Sequence, residues 1–107
     1  MSLEVFETAQ AVRDVVEAAD WVAQVRGLDA SETFMDAVKD TYDLIASMPY
    51  IGVARDYGNP QLVAMRMLPV PRYLKYLVFY TLDADQITIL RVLYSARNIQ
   101  ELFMPAE

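Results

Sequence analysis

Apolar positions recur with a helical period through the first half of the chain and with a strand period through the second. From Ala9 to about Arg26 they fall at Val12, Val15, Val16, Ala19, Val22 and Ala23. That i, i+3, i+4, i+7 spacing predicts an amphipathic helix with Thr8 as its N-cap and Gly27 as its C-cap. Asp29 with Glu32 three residues later reads as a capping box for a second helix. Its stripe is Phe34, Val38, Thr41, Ile45 and Met48, with Ala37 and Leu44 beside it, and Pro49 ends it. Two such helices joined by a short glycine turn make an antiparallel hairpin. Ahead of them Leu3–Glu7 alternates in part, as an edge strand does.

After Pro49 the pattern changes. Tyr50 to Pro60 contains Gly52, Gly58, Asn59 and Pro60 and reads as a loop. Three β-rich runs follow, about Leu62–Val70, Tyr73–Leu82 and Gln86–Ser95, the last two joined through Asp83-Ala84-Asp85 as a hairpin. Pro69 and Pro71 end the first run or push it to a sheet edge. The order β-α-α-β-β-β predicts an α+β fold, a small antiparallel-rich sheet with the helical hairpin on one face. Strict alternation puts Ile87, Ile89 and Leu93 on one side of the last strand and Leu90 and Val92 on the other. Both sides are apolar, yet two helices cover only one. The second face is then partly open or covered by a partner, which also allows a homodimer.

Composition narrows the chemistry. With 107 residues and 55% of them hydrophobic, the chain is expected to form a single domain over 1–107 with a thin core. There is no cysteine and no histidine. Thiolate metal sites, the usual neutral-pH general base and a Ser-His-Asp triad are thereby excluded, and no metal or cofactor is expected. No stretch is long and apolar enough for a bilayer span and no signal peptide is read at Met1-Ser2-Leu3-Glu4, so a cytoplasmic protein without membrane association is expected. The net charge of −6 is uneven. Met1–Met48 carries ten acidic and three basic residues, whereas Pro49–Met104 carries six basic and four acidic ones. Direct DNA binding is not expected of such a chain, although its second half has the means for a local basic site.

The ordered set of residues on these elements resembles the RelE/ParE superfamily of toxin–antitoxin modules. The matching positions are Asp43–Pro49 at the end of the second helix and Arg66, Pro69 and Val70 on the first meander strand. They continue with Tyr76-Leu77-Val78-Phe79-Tyr80 on the second strand, Ile87–Leu93 on the third, and Ala96-Arg97-Asn98 after it. The likeness spans about residues 10 to 103. Where the ParE branch usually has His-Gly-Ala-Arg-Asp, this chain reads Tyr94-Ser95-Ala96-Arg97-Asn98. The acidic pI of about 4.5 also departs from the superfamily's basic habit.

The resemblance implies a plasmid-stabilisation toxin that inhibits DNA gyrase by binding it and is neutralised by a cognate antitoxin. On that reading Arg66, Arg72, Tyr76, Arg91, Arg97 and Trp21 are the residues for target or antitoxin binding. The alternative is a RelE-like endoribonuclease that cuts mRNA on the ribosome without a metal. Arg97, Tyr94, Lys75 and Tyr80 would then be catalytic, the cations stabilising charge on the phosphate and a tyrosine stacking on a base. Leu77 stands about where such nucleases carry a basic residue, which favours the gyrase branch. Plainer readings stand beside these: Tyr73, Tyr76 and Tyr80 as sheet packing, and Arg91 as the partner of a helix carboxylate such as Asp43. Arg97, past the strand end, is harder to explain by packing.

Overall fold

A computed structural model describes residues 2–62 and 64–104. The chain runs β1 (Glu4–Glu7), α1 (Ala9–Arg26), α2 (Leu28–Ser47), β2 (Val53–Ala54), a 3-10 turn (Pro60–Leu62), β3 (Met65–Val70), β4 (Tyr73–Asp83), β5 (Gln86–Tyr94) and α3 (Ile99–Phe103). The sheet order is β1-β5-β4-β3-β2, with β1 parallel to β5 and the remaining pairs antiparallel. This is the expected α+β architecture, with a two-residue edge strand and a terminal helix added to it. The first meander run starts at Met65 rather than Leu62, because Pro60–Leu62 coils into the 3-10 turn.

Thr8 caps α1 as expected, its side-chain oxygen accepting the Ala11 N–H at 3.0 Å. Asp29 does not cap α2. Gly27, at φ +97°, ends one helix and starts the next, so α2 begins at Leu28 with Asp29 already inside its first turn. The buried face of α1 is also rotated from the predicted stripe: Ala11, Asp14, Ala18, Ala19 and Val22 are buried, while Val12 and Val16 are about half exposed. Small residues let the two helices approach closely. Ser31 of α2 donates a buried hydrogen bond to the Ala19 carbonyl at 2.7 Å.

The two sheet faces are not divided by strict alternation. Register slips where Phe79 pairs with Arg91 and Tyr80 with Ile89, leaving Leu90 as an extra residue. Ile87, Ile89 and Val92 therefore join Val78 and Tyr80 in the core beneath the helices. Leu90 and Leu93 turn to the opposite face with Phe79. That second face is covered in part by the chain itself. Phe103 of α3 lies 4.9 Å from the Phe79 ring and stacks on Tyr57 at 5.6 Å, and Asn59 Nδ2 donates to the Phe103 carbonyl at 2.9 Å. A partner is not required to bury the centre of this face.

Candidate functional site

The predicted site residues fall into two groups that burial separates. Arg66, Tyr80 and Arg91 are committed to the fold. Tyr80 is fully buried; its hydroxyl donates to the Pro49 carbonyl at 2.7 Å and accepts the Gly52 N–H at 2.9 Å. Burial raises its pKa, opposed by the Gly52 hydrogen bond and the nearby Arg66. A Cβ on Gly52 would stand 2.6 Å from that hydroxyl, so the glycine is what admits the ring. Base stacking by Tyr80, expected under the nuclease alternative, is contradicted by this burial. Arg66 donates to the carbonyls of Tyr50 and Gly52 at 3.2 and 2.6 Å and lies 5.1 Å from the Tyr50 ring centre, pinning the same loop.

Arg91 pairs with a helix carboxylate, but with Asp14 of α1 rather than Asp43. Its Nε and Nη2 donate to Asp14 Oδ2 and Oδ1 at 2.8 and 2.9 Å. Asp14 Oδ2 also accepts the Val92 N–H at 3.0 Å. One carboxylate thus satisfies a guanidinium and a strand-edge amide while 5% of its side chain stays exposed. The pairing raises the Arg91 pKa, against a smaller opposing effect of burial.

Trp21, Arg72, Lys75, Tyr76 and Tyr94 converge instead on one groove of about 350 Å³, completed by Val22, Arg26, Ala30, Tyr73 and Leu74. A smaller hollow beside it shares Trp21, Tyr76 and Tyr94 and adds Arg97 and Glu17. Aromatic rings run from the core to this surface: Phe34 meets Tyr76 edge-on at 5.0 Å, and Tyr76 meets Tyr94 at 5.2 Å. Trp21 is 55% exposed and Tyr94 37%. The groove's charged residues, Arg26, Arg72 and Lys75, are all basic, although the whole chain carries −6. Among the described residues the one ion pair is Arg91–Asp14, so these cations and Arg97 face solvent unpaired.

Local structure explains the placement. Val70 pairs with Tyr73, so Pro71-Arg72 makes the tight turn between β3 and β4. Arg72 adopts φ +72°, a conformation that glycine meets without strain. An arginine there projects its charge at the groove rim at a local conformational cost. Arg26 and Asp14 were missed from sequence. Asp14 had a signal, since it stands in phase with Ala11 and Ala18 on the buried side of α1. Arg26 had only its place in the last turn before Gly27, which reads equally as a helix-dipole residue.

This arrangement suits binding. Three cations and four rings line the groove, and Arg97 stands in the hollow beside it, a chemistry that matches an anionic, apolar surface, whereas proton transfer at neutral pH has no histidine or thiol to use. Burial, and next Tyr94, push the Tyr76 pKa up, away from service as a base. No metal-holding cluster of acidic residues occurs among the described residues, and no helix there is long and apolar enough to cross a membrane.

No curated protein matches the sequence. Among solved structures, the chromosomal ParDE toxin–antitoxin system from P. aeruginosa aligns with a TM-score of 0.71 at 16% identity, over 87% of this chain and 96% of that one, a likeness of fold. Residues 5–99 match the family described as the ParE toxin of the type II toxin–antitoxin system parDE, and the chain belongs to that family.

Proposed function

We propose that this protein inhibits DNA gyrase by binding it, serves plasmid stabilisation, and is held inactive by a cognate antitoxin. Family membership supports the toxin role, and the unpaired cationic, aromatic groove is the observation that carries binding rather than chemistry. The chain's negative charge supports a protein target over a nucleic acid one, since a protein target does not require displacing counterions. The nuclease alternative draws less support. Tyr80 is spent on Pro49 and Gly52, and Leu77 packs against the outer core cluster where that chemistry would use a charge.

Induction of the protein alone in bacteria, with purified gyrase assayed in parallel, tests the reading. Growth arrest with DNA breaks and lost supercoiling is expected. Arrest with cleaved mRNA and normal supercoiling would transfer the protein to the nuclease branch, and unimpaired growth would remove both.

A further inference from the structure

The outer side of α2 carries a line of negative charge. Asp29, Glu32, Asp36, Asp40 and Asp43 recur three or four residues apart, which sets them in one row along the helix, and all five are exposed. The β3–β4 turn runs beside that row. A hollow of about 420 Å³ is walled by Thr33, Asp36 and Asp40 on the helix and by Pro71, Arg72 and Tyr73 on the turn. Arg72 shares this hollow with two carboxylates yet pairs with neither, since Arg91–Asp14 is the one ion pair among the described residues. Lys75 follows on β4, exposed and likewise unpaired. Lys39, the one cation of α2, falls on the other flank of the row from Thr33, away from the turn. One surface therefore holds a row of acid next to a pair of cations, with Leu74, 68% exposed, between those cations in the chain.

We propose that this surface joins two copies of the chain about a two-fold axis, the α2 row of each facing Arg72 and Lys75 of the other. Charge complementarity selects the occupant. A partner of one sign would be drawn to one set of charges and repelled by the other. A second copy turned about a two-fold presents acid to base twice. The chain's net −6 does not prevent this. At physiological ionic strength charge is screened beyond about 8 Å, so opposite charges in contact outweigh the repulsion between whole chains. Exposed ion pairs are weak singly and count only as a network, so the dimer is expected at about 100 µM rather than at nanomolar concentration. Leu74 adds the apolar contact that the charges lack. Arg72 and Lys75 also line the groove assigned to gyrase, so the dimer withholds them and dilution returns them.

Sedimentation velocity on the full chain measures this contact without gyrase, so a failed gyrase assay leaves it standing. Wild type should form dimers whose dissociation constant is at least tenfold higher at about 500 mM NaCl than at about 50 mM. Two charge-reversed variants probe the two sides: Asp36→Lys with Asp40→Lys, and Arg72→Glu with Lys75→Glu. All four side chains are exposed, so circular dichroism should show the wild-type fold for both. Each variant alone should stay monomeric, because the groups that face each other then carry like charge. Their equimolar mixture should restore a dimer of one copy of each, since both contacts then join opposite charges. No wild-type dimer at low salt up to about 1 mM overturns the proposal, as does a dimer strengthened by salt. A variant that dimerises like wild type, or a mixture that stays monomeric, does the same. So does a series of species larger than two, which a closed two-fold contact forbids. The salt dependence of the wild type decides the matter even for a variant that misfolds.

Discussion

The two halves of β4 carry the same chemistry and use it oppositely. Toward its C-terminal half, Tyr80 and Arg66 are tied to the backbone of the 49–52 loop by four hydrogen bonds, two donated by Arg66, one donated and one accepted by Tyr80. Toward its N-terminal half, the half-buried Tyr76 and the exposed Arg72, Lys75, Tyr94 and Arg97 surround a groove and the hollow beside it. Tyrosine and arginine are present at both ends. What separates the closed end from the open one is whether the chain itself supplies the partners, because buried polar groups must be satisfied internally whereas exposed ones are satisfied by solvent.

The comparison breaks most severely at Asp14. Asp14→Ala strands the Arg91 guanidinium and the Val92 N–H, and should cost about 3 kcal/mol or more, since removing one partner of a largely buried ion pair leaves an uncompensated charge. Urea denaturation checks this; a change below about 1 kcal/mol would show that Asp14 is not the clamp between α1 and β5. Gly52→Ala should follow, at about 1–3 kcal/mol. Its Cβ would meet the Tyr80 hydroxyl at 2.6 Å and push the ring off two hydrogen bonds. The same substitution should leave gyrase inhibition by the folded protein unchanged.

Alkaline pH probes the tyrosines as a set. Burial raises the pKa of Tyr42, whose hydroxyl donates to Glu7 at 3.1 Å and which is further raised by that carboxylate, and burial likewise raises Tyr76 and Tyr80. Each folded pKa lies above the ordinary value of 10.0, so the folded state holds the proton more tightly than the unfolded one. Their contribution is complete below that value and is lost as pH climbs past it. The urea midpoint should be flat from about pH 8 to 9 and fall above about 10. Tyr42→Phe should shallow that fall; a midpoint independent of pH up to about 11 would contradict the assignment.

At the open end, stability effects should be small. Arg72→Gly relieves a φ of +72° and should stabilise by about 0.5 kcal/mol while weakening partner binding, a pairing of signs that no purely structural residue gives. Lys75→Ala should change stability by less than about 0.5 kcal/mol.

Much of this was legible in the chain. The helix period, Gly27 and Pro49 located the hairpin, and the three β-rich runs located the meander. The family wording from Tyr76 to Asn98 pointed to the ParE family that the match over residues 5–99 establishes. The face assignments on β5 were not legible, because a bulge at Leu90 adds a residue without any mark in the apolar pattern. The α1 stripe was misphased because valines outweigh alanines in a hydrophobicity reading, whereas close helix packing selects the alanines. Of the candidate site residues, Trp21, Arg72, Lys75, Tyr76, Tyr94 and Arg97 meet in space. Arg66, Tyr80 and Arg91 do not, since their partners are a loop carbonyl, a glycine amide and a carboxylate 77 residues away, none of which spacing reveals.

The central claim is that the open, cationic end of the sheet carries the toxin's action. It is tested most directly by gyrase supercoiling assays on the wild-type protein, on the Lys75→Glu, Arg97→Glu double variant, and on Lys39→Glu, an exposed cation on the helical hairpin outside the groove. Wild type and Lys39→Glu should inhibit supercoiling alike, with the double variant about tenfold weaker or more and all three equally stable. Equal inhibition by all three would contradict the account, and so would a loss as large in Lys39→Glu as in the groove variant.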